Sequence, residues 1–336
     1  MPTFATYLHP QVTYTSKPID QISWAGHSVP YFVGVGQKLA QALAGYPNLP
    51  VRQVDDSLYR AVHTNAYLDA LTLMAADKAV DQPPRLSLEC SGYEYCLPGY
   101  MYGLGGLVEA IDQMKRGGLD RAYCFCLGGH HAYADWGHGY CLLNPIAAAA
   151  RYAQAQGFAK ILIVDWDIHH GDGTQSIFAH DPTVYCISIH SAADLYMGLV
   201  AGLKAGTTTV AAEVGHCNIP LLHDIFDDDF FTQINLSGQF YRANESLMAF
   251  QTALDQLPWL PDLIFIFSGY DSHKEDGGDG ITNWTNDDYQ TLTRCVLAVA
   301  QKADCPVVSV HGGGYTLPVT IAAAASHVQV LAEEFS

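Results

Sequence analysis

From about residue 119 onward the chain alternates short apolar runs with segments whose apolar positions recur every three or four residues. The runs are AYCFCL (122–127), ILIVDWDI (161–168), VYCISIH (184–190), DLIFIFSGYD (262–271) and PVVSVH (306–311). Each is short and rich in β-branched or aromatic residues, so each predicts a strand buried on both faces. Between them the pattern predicts helices. One starts at Asn144, with Pro145 in the first helical position, and stops at Gly157. Another opens at Thr285, where Asp288 three residues on makes a variant of the capping box. A third, TIAAAASHVQVLAEEF, closes the sequence. The N-terminal third, including RAVHTNAYLDALTLMAADKA, reads as helical, carries few chemical signals and belongs to the same single domain, 1–336.

Strand, helix, strand at this spacing predicts an α/β protein, a parallel sheet with helices on both faces. Ligands of such sheets bind beyond the carboxyl ends of the strands. The polar clusters of this sequence fall there: GGHHA after the first run, DWDIHHGD at the end of the second, SGYDSHKED after the fourth and HGGGY after the fifth. Four clusters on one edge predict one site.

Composition narrows the class. With 49% hydrophobic and 15% charged residues the chain reads as an enzyme with a large core, not a disordered or fibrous protein. The net charge of -18, from 34 acidic against 16 basic residues, argues against direct nucleic-acid binding. It would draw in a cationic substrate, or serve solubility alone. Nine cysteines without a Cys-x-x-Cys pair fit reduced thiols and a cytoplasmic setting, with Cys124 and Cys126 packed in a strand rather than bound to metal. The opening MPTFATYLHPQVTYTS has no basic stretch followed by an apolar one, and no apolar run approaches the ~18 residues of a membrane span, so neither secretion nor membrane insertion is expected.

Asp167 and His169 lie two apart at a strand end, and Asp271 comes from the end of another. Two carboxylates and an imidazole are a ligand set of the kind that holds catalytic zinc, where three protein ligands leave room for water and substrate. His130 and His131, with Asp165 and Asp172 as further carboxylates, supply two imidazole–carboxylate dyads. A dyad beside an activated water can act as base and then acid in amide hydrolysis. Tyr315, on a glycine-rich turn, supplies a phenol for the oxyanion. Singly, a His-His pair or an HGGG is more often core or turn, and an Asp in SGYD more often a cap. Their convergence on one sheet edge carries the catalytic reading.

GGHHA with HGYCLLNPIAAA, ILIVDWDIHHGDGTQ, SGYDSHKEDGGDGITN and VVSVHGGGYTLP resemble, in order and spacing, the motifs of the zinc-dependent histone deacetylase and acetylpolyamine amidohydrolase family. RAVHTNAYLDAL resembles a segment that this family carries near its start, so the resemblance spans roughly residues 55 to 320. It implies the arginase/deacetylase fold, a parallel sheet of about eight strands. It implies one zinc per chain on Asp167, His169 and Asp271. It further implies His131 with Asp172 as general base and acid, His130 with Asp165 as electrostatic partner, and Tyr315 on the substrate carbonyl. One or two potassium ions follow from it too. The first would use Asp165, Asp167, His169, Ser188 and Ile189, the second Phe178, Asp181 and Val184. Gly139, Tyr140 and Gly313 would line the narrow acyl-lysine channel, with Tyr140 where the family usually has Phe.

Departures gather at the rim. After His190 the family's Phe-Pro-Gly type loop is replaced by a different segment, 191–217, where Tyr196 or Met197 is expected to fill the opposite channel wall. The Asp that grips the substrate backbone in histone-type enzymes has only Glu89 and Glu94 as stand-ins, neither well aligned. The substrate expected is therefore an acylated lysine or an acylated polyamine, with acyl chains longer than acetyl also allowed. Glu275, Asp276 and Asp279 form either an acidic mouth or, the better reading, a solvated turn. His170 is expected to support or pack behind the site. Two other readings stand beside this one: a binuclear manganese ureohydrolase of arginase type, and a non-catalytic relative that binds acylated ligands. Self-association into a homo-oligomer is left open.

Overall fold

The strands, in chain order, are β1 (Phe4–Tyr7), β2 (Arg85–Leu86), β3 (Arg121–Cys124), β4 (Trp136–Gly137), β5 (Ile161–Asp165), β6 (Val184–Ser191), β7 (His216–Leu221), β8 (Leu263–Ser268) and β9 (Val307–His311). They are those of a computed structural model that describes residues 3–23, 25–194, 215–225 and 240–333. Seven form one parallel sheet in the order β1-β3-β9-β8-β5-β6-β7, and β2 and β4 form a separate parallel ribbon. Strand β5 lies between β8 and β6 with all five residues buried, as its unbroken apolar pattern requires. Asp165, its last residue, pairs with Ser188 on one side and Phe267 on the other, so the polar segments that follow these strands leave the sheet at a common edge.

The sheet has seven strands among the described residues where about eight were expected. The observed strands also stop short of the apolar runs, β3 at Cys124, β5 at Asp165 and β8 at Ser268, because the chain turns out of the ladder to present polar groups. Two strands of this sheet escaped the pattern, as did both strands of the ribbon. One, β1, lies in the N-terminal third that read as helical. The other, β7, contains Asn218 and Pro220 and overlaps the segment read as a rim loop. Both are edge strands, where pairing on one side tolerates a short strand or a proline.

The helix starts follow their caps. Asn144 Oδ1 accepts from Ala147 N–H at 3.0 Å at the head of the helix Pro145–Ala155. Thr285 donates through backbone N–H and Oγ1 to Asp288 Oδ2, both at 2.8 Å, at the head of Asn286–Ala303. The last helix spans Leu317–Ala332 and packs on Asn286–Ala303. Among the described residues no helix is long and apolar enough to cross a membrane.

Candidate active site

The chain leaving β5 folds so that its carboxylates are aimed by backbone donors. Asp167 N–H donates to Asp165 Oδ1 at 3.0 Å, His169 N–H to Asp167 Oδ1 at 3.1 Å and Gly313 N–H to Asp167 Oδ2 at 2.7 Å. Ile168 N–H donates to Asp271 Oδ1 at 3.0 Å, which ties the end of β8 to the segment after β5. His169 Nδ1 then stands 3.1 Å from Asp167 Oδ1 and 3.2 Å from Asp271 Oδ2. The three ligand atoms all lie within 4.8 Å of one another.

This donor set fits a divalent cation. Asp167 and Asp271 are buried face to face, and among the described ion pairs their partners are imidazoles, never Lys or Arg. Burial, reinforced by the negative Asp167, raises the Asp271 carboxyl, so a cation held between the two carboxylates would relieve their repulsion. Burial opposes the charge on His169 too, but Asp167 and Asp271 outweigh it and raise that imidazole. Space is also matched to a small ion. A Cβ on Gly313 would stand 2.5 Å from Asp271 Oδ2 and 2.6 Å from Asp167 Oδ2, so only glycine lets the backbone approach these oxygens.

Behind the trio stand the two dyads. His130 Nδ1 lies 2.9 Å from Asp165 Oδ2, and His131 Nδ1 lies 2.7 Å from Asp172 Oδ1, all four residues buried. Their environments differ. Burial and the adjacent Asp167 both raise the Asp165 carboxyl well above its ordinary range, while burial lowers the His130 imidazole. For Asp172 burial works upward as well, but His131 and then His138 outweigh it and hold the carboxyl far below the usual range. His138 was given no role from sequence. Its Nε2 lies 3.3 Å from Asp172 Oδ2, and Tyr133 OH donates to the same oxygen at 3.2 Å.

A narrow cavity of about 50 Å³ opens on these groups, lined by His131, Asp167, Tyr140, Gly313 and Tyr315 among others. Gly139, at φ +57, packs so closely that a Cβ would lie 2.4 Å from His131 Cδ2, and Tyr140 beside it holds a left-handed φ of +60. That strain in a non-glycine residue sits on the cavity wall, where Tyr140 also meets Tyr93. Tyr315 is half exposed. Its ring stands edge-on to His169 at 6.4 Å between centroids, and Asp276 Oδ2 accepts from the N–H groups of Tyr315 and Thr316 at 2.8 and 2.6 Å. Asp276 therefore holds the turn that carries Tyr315. Tyr196 and Met197 lie outside the described residues.

The N-terminal third is not chemically silent. From the helix Val29–Ala42, Tyr31 stacks on Tyr315 at 6.5 Å and donates its hydroxyl to the Gly314 carbonyl, and Phe32 also lines the cavity. The only sequence signal was an aromatic pair near a helix start, which ordinary packing explains equally well. Glu89 Oε1 accepts from Gly139 N–H at 3.1 Å, at the cavity wall, whereas Glu94 Oε2 accepts from Gly92 N–H at 2.9 Å. His170 is fully buried, with Nε2 at 2.7 Å from Gln175 Oε1 and 3.1 Å from Asn218 Oδ1. Of the residues named for potassium, Ser188 Oγ lies 3.0 Å from His190 Nδ1, next to Ile189 in β6. Phe178, Asp181 and Val184 are linked by two successive turns, in which the Asp181 carboxylate is engaged by Arg151 and Thr183.

Comparison with known proteins places these features in context. A family model described as "Histone deacetylase domain" matches residues 34–331. An uncharacterized protein of Picosynechococcus is 35% identical over 280 residues, covering 80% of this chain and 77% of its own length. "Histone deacetylase 4" of Caenorhabditis briggsae is 32% identical over 237 residues, covering 68% of this chain, but the match spans only 25% of that protein. The crystal structure of an acetylpolyamine aminohydrolase from Burkholderia pseudomallei superposes with a TM-score of 0.71 at 23% identity, covering 98% of each chain, a likeness of fold.

Proposed function

This chain belongs to the histone deacetylase family, and on that premise we propose that it is a zinc-dependent deacylase that hydrolyses the amide of an N-acylated amine. The observation that supports it most is the meeting, at one sheet edge, of the Asp167–His169–Asp271 trio with the His131–Asp172 dyad and the Tyr315 turn. When bound to Asp167, His169 and Asp271, zinc supplies Lewis acidity toward the carbonyl and acidifies water.

The remaining steps belong to the chain's own groups. His131, whose Nδ1 is committed to Asp172, uses Nε2 to take the proton of the attacking water and then gives it to the departing amine. Asp172 fixes the ring and compensates the imidazolium that forms. The Tyr315 hydroxyl donates to the oxyanion of the tetrahedral intermediate. His130 with Asp165 acts as an electrostatic neighbour that does not exchange protons with substrate. Asp165, Ser188 and the backbone around Asp167, His169 and Ile189 would hold a structural potassium ion, with Phe178, Asp181 and Val184 as a second site.

The substrate is an acylated lysine or an acylated polyamine. The net charge of -18 and the aromatic rim of Tyr31, Tyr140 and Tyr315 suit a cationic chain that enters lengthwise. Nine unpaired cysteines fit work in a reducing cytoplasm. The test is a matched panel of acetyl-lysine peptides, peptides with longer acyl groups, and N-acetylated putrescine, cadaverine and spermidine, with zinc content measured in parallel. One zinc per chain, lost in Asp167→Ala, and turnover of at least one class is the expected result. A fully zinc-loaded protein that turns over none of them overturns the proposal.

A further inference from the structure

The Asp172 carboxylate makes more contacts than a dyad needs. Oδ1 faces His131 Nδ1 at 2.7 Å and accepts from Gly173 N–H at 2.9 Å. Oδ2 accepts from Tyr133 OH at 3.2 Å and faces His138 Nε2 at 3.3 Å. His138 and Asp172 are both completely buried, so neither contact is a chance encounter of surface groups.

His138 is itself held in place. The Trp136 indole stacks on it at 4.2 Å between centroids and 24° between planes, and the Arg85 guanidinium lies 3.6 Å over the same indole. Arg85 and Trp136 are one of the two residue pairs of the ribbon β2/β4. This ribbon lies outside the main sheet. It delivers His138, two residues past Trp136, to the far side of the carboxylate that His131 uses.

The terminal torsion of an aspartate is broad and roughly two-fold, so a bond to Oδ1 alone leaves the carboxylate plane loosely set. Donors on both oxygens remove that freedom, and the imidazole bonded to Oδ1 inherits the orientation. We propose that His138 is a positioning residue of the reaction: with Tyr133 it clamps Oδ2 of Asp172, fixing the carboxylate plane and through it the direction of His131 Nε2. The unit is then His131–Asp172–His138, braced by Trp136 and Arg85, rather than a simple pair. This inference rests on the reading of His131 as the general base.

The test compares His138→Leu, which removes the imidazole facing Oδ2, with His138→Gln, which keeps a neutral polar group at similar reach. In the zinc-loaded protein, on whichever panel substrate is turned over, His138→Leu should lower kcat roughly tenfold with KM within about twofold, the pattern of a misaligned base. His138→Gln should recover most of the loss. A second readout needs no substrate: the downfield proton line of the His131–Asp172 hydrogen bond should broaden or shift in His138→Leu and persist in His138→Gln. An unchanged kcat and line in His138→Leu, or equal losses in both variants, overturns the clamp. If His138→Leu does not fold, Tyr133→Phe removes the hydroxyl that donates to Oδ2 and should cost kcat a few-fold; no loss there is equally fatal. Because the proton line is read without turnover, its change would support the clamp even if the deacylase reading failed.

Discussion

The two dyads are near copies in geometry and opposites in setting. Each joins adjacent histidines to a buried aspartate through Nδ1, at 2.9 Å for His130–Asp165 and 2.7 Å for His131–Asp172. Asp165 has the second carboxylate of Asp167 beside it, and the pair is pushed away from full charge separation. Asp172 accepts from Tyr133 OH and Gly173 N–H, with His131 Nδ1 on one oxygen and His138 Nε2 3.3 Å from the other, and the two imidazoles hold its carboxyl below the usual range against burial. On the proposed reading the second dyad is the one that stabilises an imidazolium formed during turnover. What a histidine–aspartate pair can do is therefore decided one neighbour further out than the pair itself.

The contrast breaks most directly at the histidines. His131→Ala should lower kcat about a thousandfold, the scale of losing a general base, while His130→Ala should lower it roughly tenfold. Steady-state kinetics of both variants with zinc content verified decides it, and equal losses would mean that the two dyads share the proton work. Next in size is Tyr315→Phe, which leaves both dyads and the zinc in place. It should reduce kcat about a hundredfold, as expected when one oxyanion donor is removed. If kcat holds, the Tyr315 hydroxyl is not the oxyanion donor.

The site was legible in the sequence where chemistry is concentrated in one stretch and exposed only in part. DWDIHHGD places Asp165, Asp167, His169 and Asp172 at the end of an apolar strand, and such charges demand partners. GGHHA and SGYD then had to supply them, since parallel strands end at a common edge. His138 was not legible because its role depends on a two-residue ribbon whose pairing no local pattern announces. Tyr31 was hidden for a different reason: it reaches Tyr315 across 284 positions of sequence, and a tyrosine in an amphipathic helix is ordinarily a packing residue. Strand β7 was obscured by Pro220, which an edge position tolerates and a central one would not.

A third kind of histidine gives the comparison its control and the smallest predicted effect. His63 and His327 are as buried as the dyad histidines but have only neutral partners. His63 Nε2 accepts from Asn144 N–H at 3.0 Å, and His327 lies between Thr293 Oγ1 at 2.6 Å and Ser309 Oγ at 2.8 Å. Burial therefore dominates and lowers them, to about 4 for His63 and about 3 for His327. Above the unfolded value of about 6.5 both states are neutral and these groups leave stability unchanged. As pH falls below it, the unfolded chain takes protons that the fold refuses, so stability declines, by about 1.4 kcal/mol per pH unit for each such histidine, until the folded values are reached. Denaturant titrations of the zinc-loaded protein at pH 7, 6 and 5 should show this decline. His327→Gln should start from a lower stability yet lose less of it between pH 6 and 5, because one proton uptake has been removed. A slope unchanged by that substitution would show that His327 does not refuse the proton in the fold, and the assignment of acid sensitivity to neutral-paired histidines would fail for it.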